Sequence, residues 1–355
     1  ADNAYLSRTP SGAGNRKTFT ISFWIKRAKL ATTNGQQILT SHTDGNNRFQ
    51  MFFDASVGGG AVGDKLTCFD AAGGSTIDLF QTTRTFEDTS KWYHIVLAFD
   101  TTQSTESNRM KLYVDGDQIT AFDTINYPSE DYQLRWNIDA AHYIGRYGAS
   151  TNYPLDAYLT EFNNVDGTQL TPSTFGLTDT STGRWIPKSL GSITYGTNGV
   201  RLTFANSAGQ TIGDDTSGNG NDLTVTSLVA SDIVTDSPTN NIAVMRNYDP
   251  AHTQTITNGN LQTATTGTNA GHPVISTLAP SSGKWYAEVR NSGTTGGNTY
   301  ALGVYILEDM TFWDGSANLY PGGRRDNADG NGAALWLISG GTNYLVTSAD
   351  SSYIL

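Results

Sequence analysis

Along the first half of the chain, apolar and polar residues alternate with a period of two. Phe19, Ile21, Phe23 and Ile25 take the odd positions, and Thr20, Ser22 and Lys26 the even ones. That spacing predicts a strand with one face on a core and the other toward solvent. Trp24 breaks the rule by sitting on the polar face. Either a second layer or neighbouring chain covers it, or it is an exposed ring on which a sugar stacks. Strands follow at 37–41 and 48–53, separated by the polar turn His42, Thr43, Asp44, Gly45, Asn46 and Asn47. The glycine-rich stretch 57–63 reads as a mobile loop. Residues 92–99 are apolar at nearly every position, as in a strand buried on both faces, and His94 within them reads as a satisfied core histidine. Residues 110–114 and 118–122 flank Asp115-Gly116, a pair that tolerates the positive φ angles of a tight hairpin. Strands at 143–145 and 157–162 complete the set. Thr171-Pro172 then supplies an N-cap and a proline at the first helical position, predicting one helical turn that ends at Gly176.

The texture changes after residue 176. Short apolar runs at 193–195 and 200–204 alternate with polar turns up to 241, and the stretch is too rich in Val, Leu and Ile to be a disordered linker. A second set of strands opens near Ile242, with Trp285, Ala287 and Val289 on one face of an alternating segment, then 300–306 and 333–338. The expected fold class is therefore all-β. Two antiparallel jelly-roll β-sandwiches, at 1–176 and 242–355, are joined by a partly β connector at 177–241. The opening residues already read as folded sequence and the last ones stop at an apolar strand. Both ends are expected to continue in a longer protein, with the second sandwich incomplete.

Composition supports this picture. The 355 residues include 38 glycines, and only 15% are charged, against roughly 25% in ordinary globular domains. Thr, Ser, Asn and Gly cover the surface instead, which suits short strands and many turns. The formal net charge is −11. A surface that tracks phosphates needs clustered Lys and Arg, so nucleic acid is excluded as a partner, and an anionic membrane repels such a chain. Cations, calcium among them, fit the charge. No apolar run approaches the roughly 18 residues of a membrane span. The single cysteine, Cys68, cannot form an intrachain disulfide and reads as a small buried hydrophobe. Its solitude points to folding in a reducing compartment.

Five segments in order then carry a resemblance: FTISFWIKRAKL at 19–30, KWYHIVLAFD at 91–100, RMKLYVDGDQI at 109–119, YIGR at 143–146 and LDAYLTEFNNVDGTQLTPSTFG at 155–176. Together they resemble the concanavalin A-like family that includes laminin G and pentraxin domains, over roughly residues 3–176. SSGKWYAEVRNSG at 281–293 resembles the opening of a SPRY domain. The stretches IPKSLGSITYGTNGVRLTF (186–204), IGDDTSGNGNDLTV (212–225) and DSPTNN (236–241) are similar to the connector of bacteriophage virion proteins, marine phages above all, in which a laminin G-like module precedes a SPRY-like one. The resemblance implies a virion structural protein: a tail fibre, tail-associated or capsid-surface appendage. It would assemble in the bacterial cytoplasm and sit on the virion surface. Its partners would be other virion subunits, including copies of itself in a homo-oligomer such as a trimer, and host-surface glycans for host attachment.

The chemistry that would contradict a lectin-like binding role was sought in the residues. Laminarinase-type hydrolases of the same fold carry Glu-x-Asp-x-x-Glu on one strand, which aims carboxylates into one cleft; no such spacing exists here. Glu87-Asp88 and Glu130-Asp131 are adjacent pairs that read as solvated turn residues. The five histidines show no metal-ligand spacing. The chain is therefore read as no enzyme, with a bacterial adhesin or polysaccharide-binding module, a purely architectural protein and a glycan-cleaving enzyme as rival readings. Pentraxin-like relatives bind calcium through an early Asp-Asn loop and a late acidic cluster. The resemblance maps the first onto Asp44, Asn46 and Asn47 and the second onto 145–156, which retains only Asp156. A second calcium candidate is the run Asp214, Asp215, Asn219, Asn221 and Asp222, for which a network of turns is the competing reading. Asp44, Asn46, Asn47 and Trp24 are also the candidate ligand-binding residues. Arg324-Arg325 is followed by Asp326 and Asp329, which favours local pairing over a basic site.

Overall fold

The alternation that begins at Phe19 becomes the central strand of a two-sheet sandwich. The computed structural model describes residues 3–30, 34–55, 63–148, 150, 153–207 and 209–247. Further along it describes 255–257, 260–264, 274–278, 300–303, 319–320, 323–324, 335–339, 342–347 and 350–354. One sheet has eight antiparallel strands in the order Phe122–Ile125 (β10), Ser75–Thr85 (β6), Lys65–Ala72 (β5), Asn47–Phe53 (β4), Gln36–Asp44 (β3), Ala141–Ile144 (β11), Tyr5–Arg8 (β1) and Thr224–Thr226 (β16). The other has six, in the order Val200–Leu202 (β15), Ala157–Asp166 (β12), Thr18–Arg27 (β2), Tyr93–Asp100 (β7), Met110–Val114 (β8) and Asp117–Gln118 (β9). Every edge strand is short, which limits unpaired backbone at the rims.

The odd residues of β2 meet the facing sheet. Phe19, Ile21, Phe23 and Ile25 pack in one fully buried cluster with Phe49, Met51, Phe53, Leu66 and Cys68. Burying each large side chain of this kind contributes about 1.5–3 kcal/mol. The hairpin between β8 and β9 turns at Asp115 (φ 54°) and Gly116 (φ 93°), the positive angles that Asp-Gly was expected to supply. The helical turn after Thr171 is a 3-10 turn over Pro172–Thr174. Thr171 holds the N-cap position, but its hydroxyl pairs with that of Ser173 at 2.9 Å and bonds no helix N–H.

The boundary expected at residue 176 is not a boundary. Past it the chain forms a ribbon of Gly176–Thr178 (β13) and Trp185–Pro187 (β14), then adds β15 to one sheet and β16 to the other. The stretch read as a connector therefore completes the sandwich, and a compact unit covers Ala1–Arg246 together with 256–262 and 276–278. The reason is the polar face of β2. Thr20, Ser22, Trp24 and Lys26 are all buried, because residues 168–195 and 236–242 lie against them. Val96, Val165, Phe175 and Tyr195 form a second small core on that side, backed by Tyr113, Leu170, Leu190 and Ile193. The Thr20 hydroxyl donates to Thr168 O and accepts from the Leu170 N–H, both at 2.8 Å, which starts the covering stretch along the sheet.

In the remaining unit the described residues include a four-stranded antiparallel sheet of Tyr300–Gly303, Leu335–Ser339, Thr342–Thr347 and Asp350–Ile354. The SPRY-like segment 281–293, the expected loop at 57–62, Arg325, Asp326 and Asp329 lie outside the described residues. Among the described residues no helix is long and apolar enough to cross a membrane.

A truncation tests the corrected boundary. A chain ending at residue 176 lacks β15 and β16 and leaves Trp24, Lys26, His94 and Val96 bare. It is expected to aggregate or bind a hydrophobic dye without a cooperative thermal transition. A chain ending at residue 246 should unfold in one transition; equal behaviour of the two would make the covering stretch dispensable.

Candidate functional site

The covered face of the six-stranded sheet is closed by a stack of three rings. Trp24 on β2 and His94 on β7 are cross-strand neighbours, with ring centroids 4.6 Å apart and planes 16° from parallel. Trp185 of β14 lies at the Nδ1 edge of His94, 6.0 Å away and 23° from parallel. The Trp185 indole N–H donates to His94 Nδ1 at 2.9 Å, so the ring carries its proton on Nε2, 2.9 Å from the Ser22 hydroxyl. Burial holds the His94 pKa down at about 3. The core histidine expected at 94 is thus a neutral ring, faced by the Trp24 indole and bonded at its edge by that of Trp185. Trp24, only 2% exposed, offers no ring face to a sugar, which corrects the expectation that it is a ligand-binding residue. A layer of the same chain covers it.

The calcium candidates are not brought together. Asp44 is capped locally: its carboxylate accepts the Asn46 N–H at 2.7 Å and the Asn47 amide at 3.1 Å. These bonds hold its pKa below the ordinary value. The Asn47 carbonyl in turn accepts the Gly73 N–H at 3.0 Å. Asp156 sits at the opposite end of β3. Its backbone oxygen accepts the Ala28 N–H, and nearby Tyr153 O accepts that of Gln37. Nine residues of strand separate that end from Asp44, on the order of 25 Å at about 3.3 Å per residue. The donor set carried over from pentraxins does not converge on one ion.

The acidic run at 214–222 is a network of turns. Asp215 accepts N–H groups of Arg201, Ser217 and Asn221 at 2.8–2.9 Å. Asp222 accepts that of Asp215 at 2.8 Å, and Asp214 is bonded to Thr211. The Asn219 and Asn221 amides donate to the carbonyls of 196–199. Its oxygens hold β15 to the loop that follows it. Among the described residues no three His, Cys, Asp or Glu side chains gather as a metal-holding group.

The outer face of the eight-stranded sheet is partly open: Tyr143, Phe52 and Phe69 are half-buried and Asp78 is exposed, whereas Gln37, Thr40 and Gln50 are buried. The register puts three rows of side chains there. The middle row runs Ser7, Tyr143, Thr40, Gln50, Phe69 and Asp78 across β1, β11, β3, β4, β5 and β6. One flanking row holds His42 and Arg48, and the other Gln37, Phe52, Thr67 and Gln81. The amides are fixed. Arg48 Nε donates to Gln50 Oε1 at 3.0 Å, Gln50 Nε2 to Gln37 Oε1 at 2.9 Å, and Gln37 Nε2 to Leu39 O at 2.7 Å. The Arg48 guanidinium lies 5.0 Å over the Phe69 ring, which meets Phe52 edge-on. Thr40, between Tyr143 and Gln50, is fully buried, and its hydroxyl has no hydrogen-bond partner. His42, Tyr147 and Tyr153 form an edge-to-face chain beside it. Burial, and then Arg48, lower the His42 pKa. Rings beside immobilised amides are the groups that hold an uncharged polyhydroxylated ligand.

Residues 2–173 match the family model of the concanavalin A-like lectin/glucanases superfamily, of laminin G type. The sandwich is concanavalin A-like. Similar solved structures include the heptameric SAP-like pentraxin of Limulus polyphemus (16% identity, TM-score 0.33, 47% of this chain and 71% of that one). Domain 4 of the Geobacillus stearothermophilus arabinanase AbnA, in complex with arabinotriose, is 19% identical (TM-score 0.33, 47% and 68%). Domains LG4-5 of the mouse laminin alpha1 chain are 12% identical (TM-score 0.32, 58% and 46%). No curated protein sequence matches the chain.

Sequence reasoning missed the open face because β5 and β6 were not recognised. A period-two reading of 65–72 was available, with Leu66, Cys68 and Asp70 inward and Thr67 and Phe69 outward. Asp70 at a core position hid it. Its carboxyl is accommodated by the Tyr132 hydroxyl at 2.7 Å and the Arg135 N–H at 2.6 Å, and burial raises its pKa to about 6.

The ring stack predicts an acid response. His94 has a folded pKa of about 3 against an ordinary 6.5. Its contribution is complete above pH 6.5 and is lost as pH falls toward 3, at about 1.4 kcal/mol per pH unit. Asp70 acts in the opposite sense, its contribution being lost as pH rises from 3.8 through about 6. NMR of the His94 ring should show no titration between pH 8 and 4.5 while the chain stays folded. A midpoint near 6 would mean that the stack does not exclude water.

Proposed function

We propose that the protein is a non-catalytic, glycan-recognising module displayed on the surface of a bacteriophage virion, in a tail fibre, tail-associated complex or capsid-surface appendage. The observation that carries the recognition part is the half-exposed pair of rings Tyr143 and Phe69, set on either side of the buried Thr40 and Gln50 on a sheet whose companion is sealed by its own chain. The family of the sandwich, lectins and glucanases, supports a sugar as the ligand. The virion setting rests on the resemblance of the stretches 186–204, 212–225 and 236–241 to phage connectors, and with it go the SPRY-like second sandwich and an oligomer of like subunits. The non-catalytic reading rests on the sequence, which has no Glu-x-Asp-x-x-Glu strand. Asp54 at the margin of this face is committed to the Lys65 N–H and the Gln81 amide, both at 2.8 Å. The same face would serve a bacterial polysaccharide-binding module equally well.

A glycan array probed with the full chain in its native oligomer, with and without calcium, tests the reading. Binding should be independent of calcium, since no candidate loop offers a convergent donor set. Gln50→Ala and Tyr143→Ala should each weaken it about tenfold or more, equivalent to about 1.4 kcal/mol, with little change in thermal stability for Tyr143→Ala. Absence of binding to any glycan in both conditions would overturn recognition and leave the sheet face to contacts between virion subunits.

A further inference from the structure

Lys26 stands on the covered face of β2, and its surroundings exceed what an ion pair requires. Nζ lies 2.7 Å from Asp236 Oδ2, 2.7 Å from Asn241 Oδ1 and 3.0 Å from Ile242 O. The Lys26 and Asp236 side chains are both 0% exposed. The Asn241 amide is oriented from its other end, where Nδ2 donates to Ser90 O at 2.7 Å. That bond turns the carbonyl toward the lysine, so only the C=O bond, about 1.23 Å, separates the Nζ contact from the electrophilic Cγ. Asp236 is held by the Trp92 indole N–H at 3.2 Å and the Ile242 N–H at 3.0 Å, both on Oδ1, which leaves Oδ2 to the lysine. Asp236 and Asn241 are the two ends of a loop closed by reciprocal backbone bonds between Ser237 and Asn240. Trp92 and Tyr158, with centroids 6.4 Å apart, wall the site, and Tyr158 is the cross-strand neighbour of Lys26.

An amine and a carboxylate, both fully buried, and a half-buried carboxamide are thus fixed together. Such positioning makes a normally slow acyl transfer effectively unimolecular. We propose that Lys26 and Asn241 join in a spontaneous intramolecular isopeptide bond, with Asp236 as the proton carrier. The Asp236 carboxylate takes a proton from the Lys26 ammonium, leaving a neutral amine and a carboxylic acid, neither of which bears the cost of a buried charge. The amine lone pair attacks Cγ of Asn241, and Asp236 passes its proton toward the developing oxyanion. The tetrahedral intermediate collapses, the Cγ–Nδ2 bond breaks, and the amide nitrogen leaves with the displaced protons as ammonium. The Nζ–Cγ amide remains and Asp236 ends as a carboxylate. Nothing is oxidised or reduced, and no co-reactant is needed. The bond would tie the central strand to residues 215 positions further on, making the covering layer permanent.

Mass spectrometry of the purified native full chain reads the outcome. The intact mass should be lower than that of the sequence by one ammonia, and a protease digest should yield a branched peptide joining Lys26 to Asn241. Asn241→Ala, Asp236→Asn and Lys26→Ala should each restore the sequence mass. In denaturing gels the native chain should migrate faster than Asn241→Ala, an effect no disulfide can produce in a chain with one cysteine. Asn241→Ala keeps the Lys26–Asp236 pair, so it separates loss of the bond from loss of the fold. If a variant fails to fold, the digest of the native chain decides alone. An unmodified native mass overturns the proposal, as does an ammonia loss without the branched peptide, which would mark succinimide formation at a site such as Asn198-Gly199. Neither result bears on glycan recognition.

Discussion

A charged lysine buried on the outer face of a sheet is the constraint around which this sandwich is arranged. An ammonium has three protons, and Lys26 finds an acceptor for each in Asp236, Asn241 and Ile242. Removing one partner of such a pair costs about 3–5 kcal/mol, because the other charge is left dry and uncompensated. All three acceptors come from the far end of the stretch that crosses the sheet. The lysine therefore makes the covering layer obligatory: the polar face of β2 is stable only while residues 168–195 and 236–242 lie on it. The Trp24–His94–Trp185 stack follows from the same constraint, since a ring on that face has no water to meet.

Closing one face assigns the roles of the others. The six-stranded sheet has its inner face on the core and its outer face under its own chain. The eight-stranded sheet keeps half-exposed rings, Tyr143, Phe52 and Phe69, on its outer face among the described residues, and these are what the sandwich presents. The loops that looked richest in ligands are spent on backbone donors: Asp44 on its own turn and Asp215 on three N–H groups. Carboxylates count as candidate ligands in a sequence, whereas a carboxylate already accepting several N–H bonds serves as a structural clamp.

Much of the fold was legible because β2, β7 and β8 obey simple periods and Asp115-Gly116 is an unambiguous turn. The two-layer sandwich could be read from those segments alone. The third layer could not, because it depends on Lys26 meeting Asp236 and on His94 meeting Trp185, contacts across 210 and 91 residues that no local pattern encodes. Trp24 was the one visible sign: an aromatic out of phase on a polar face needs a cover. The open binding face was hidden for the converse reason. Asp70 interrupts the apolar phase of β5, and only the distant Tyr132 hydroxyl and Arg135 N–H explain how a carboxyl is accepted there.

The low charge content and abundance of asparagine acquire a physical reason at the end of β12. Asp166 accepts the N–H groups of Asn15 and Asn198 at 2.6 and 2.8 Å. Asn164 accepts the Trp136 indole N–H at 3.0 Å and donates to Asn137 at 2.9 Å and to Asn198 O at 3.0 Å. Four distant segments are joined there by neutral amides around one carboxylate. An amide inside a protein carries no Born cost and offers both donor and acceptor, so a saturated amide network can be buried where a charge network could not. His94 and His142 obey the same rule, both held neutral by burial. Charges survive inside only where partners surround them. Arg27 has Asp64 at 2.7 Å, Phe86 O at 3.0 Å, Gln36 at 3.1 Å and the Phe53 ring beneath it. A chain that crosslinks itself through amides needs few charges, and the few it buries fix which segment must lie against which sheet.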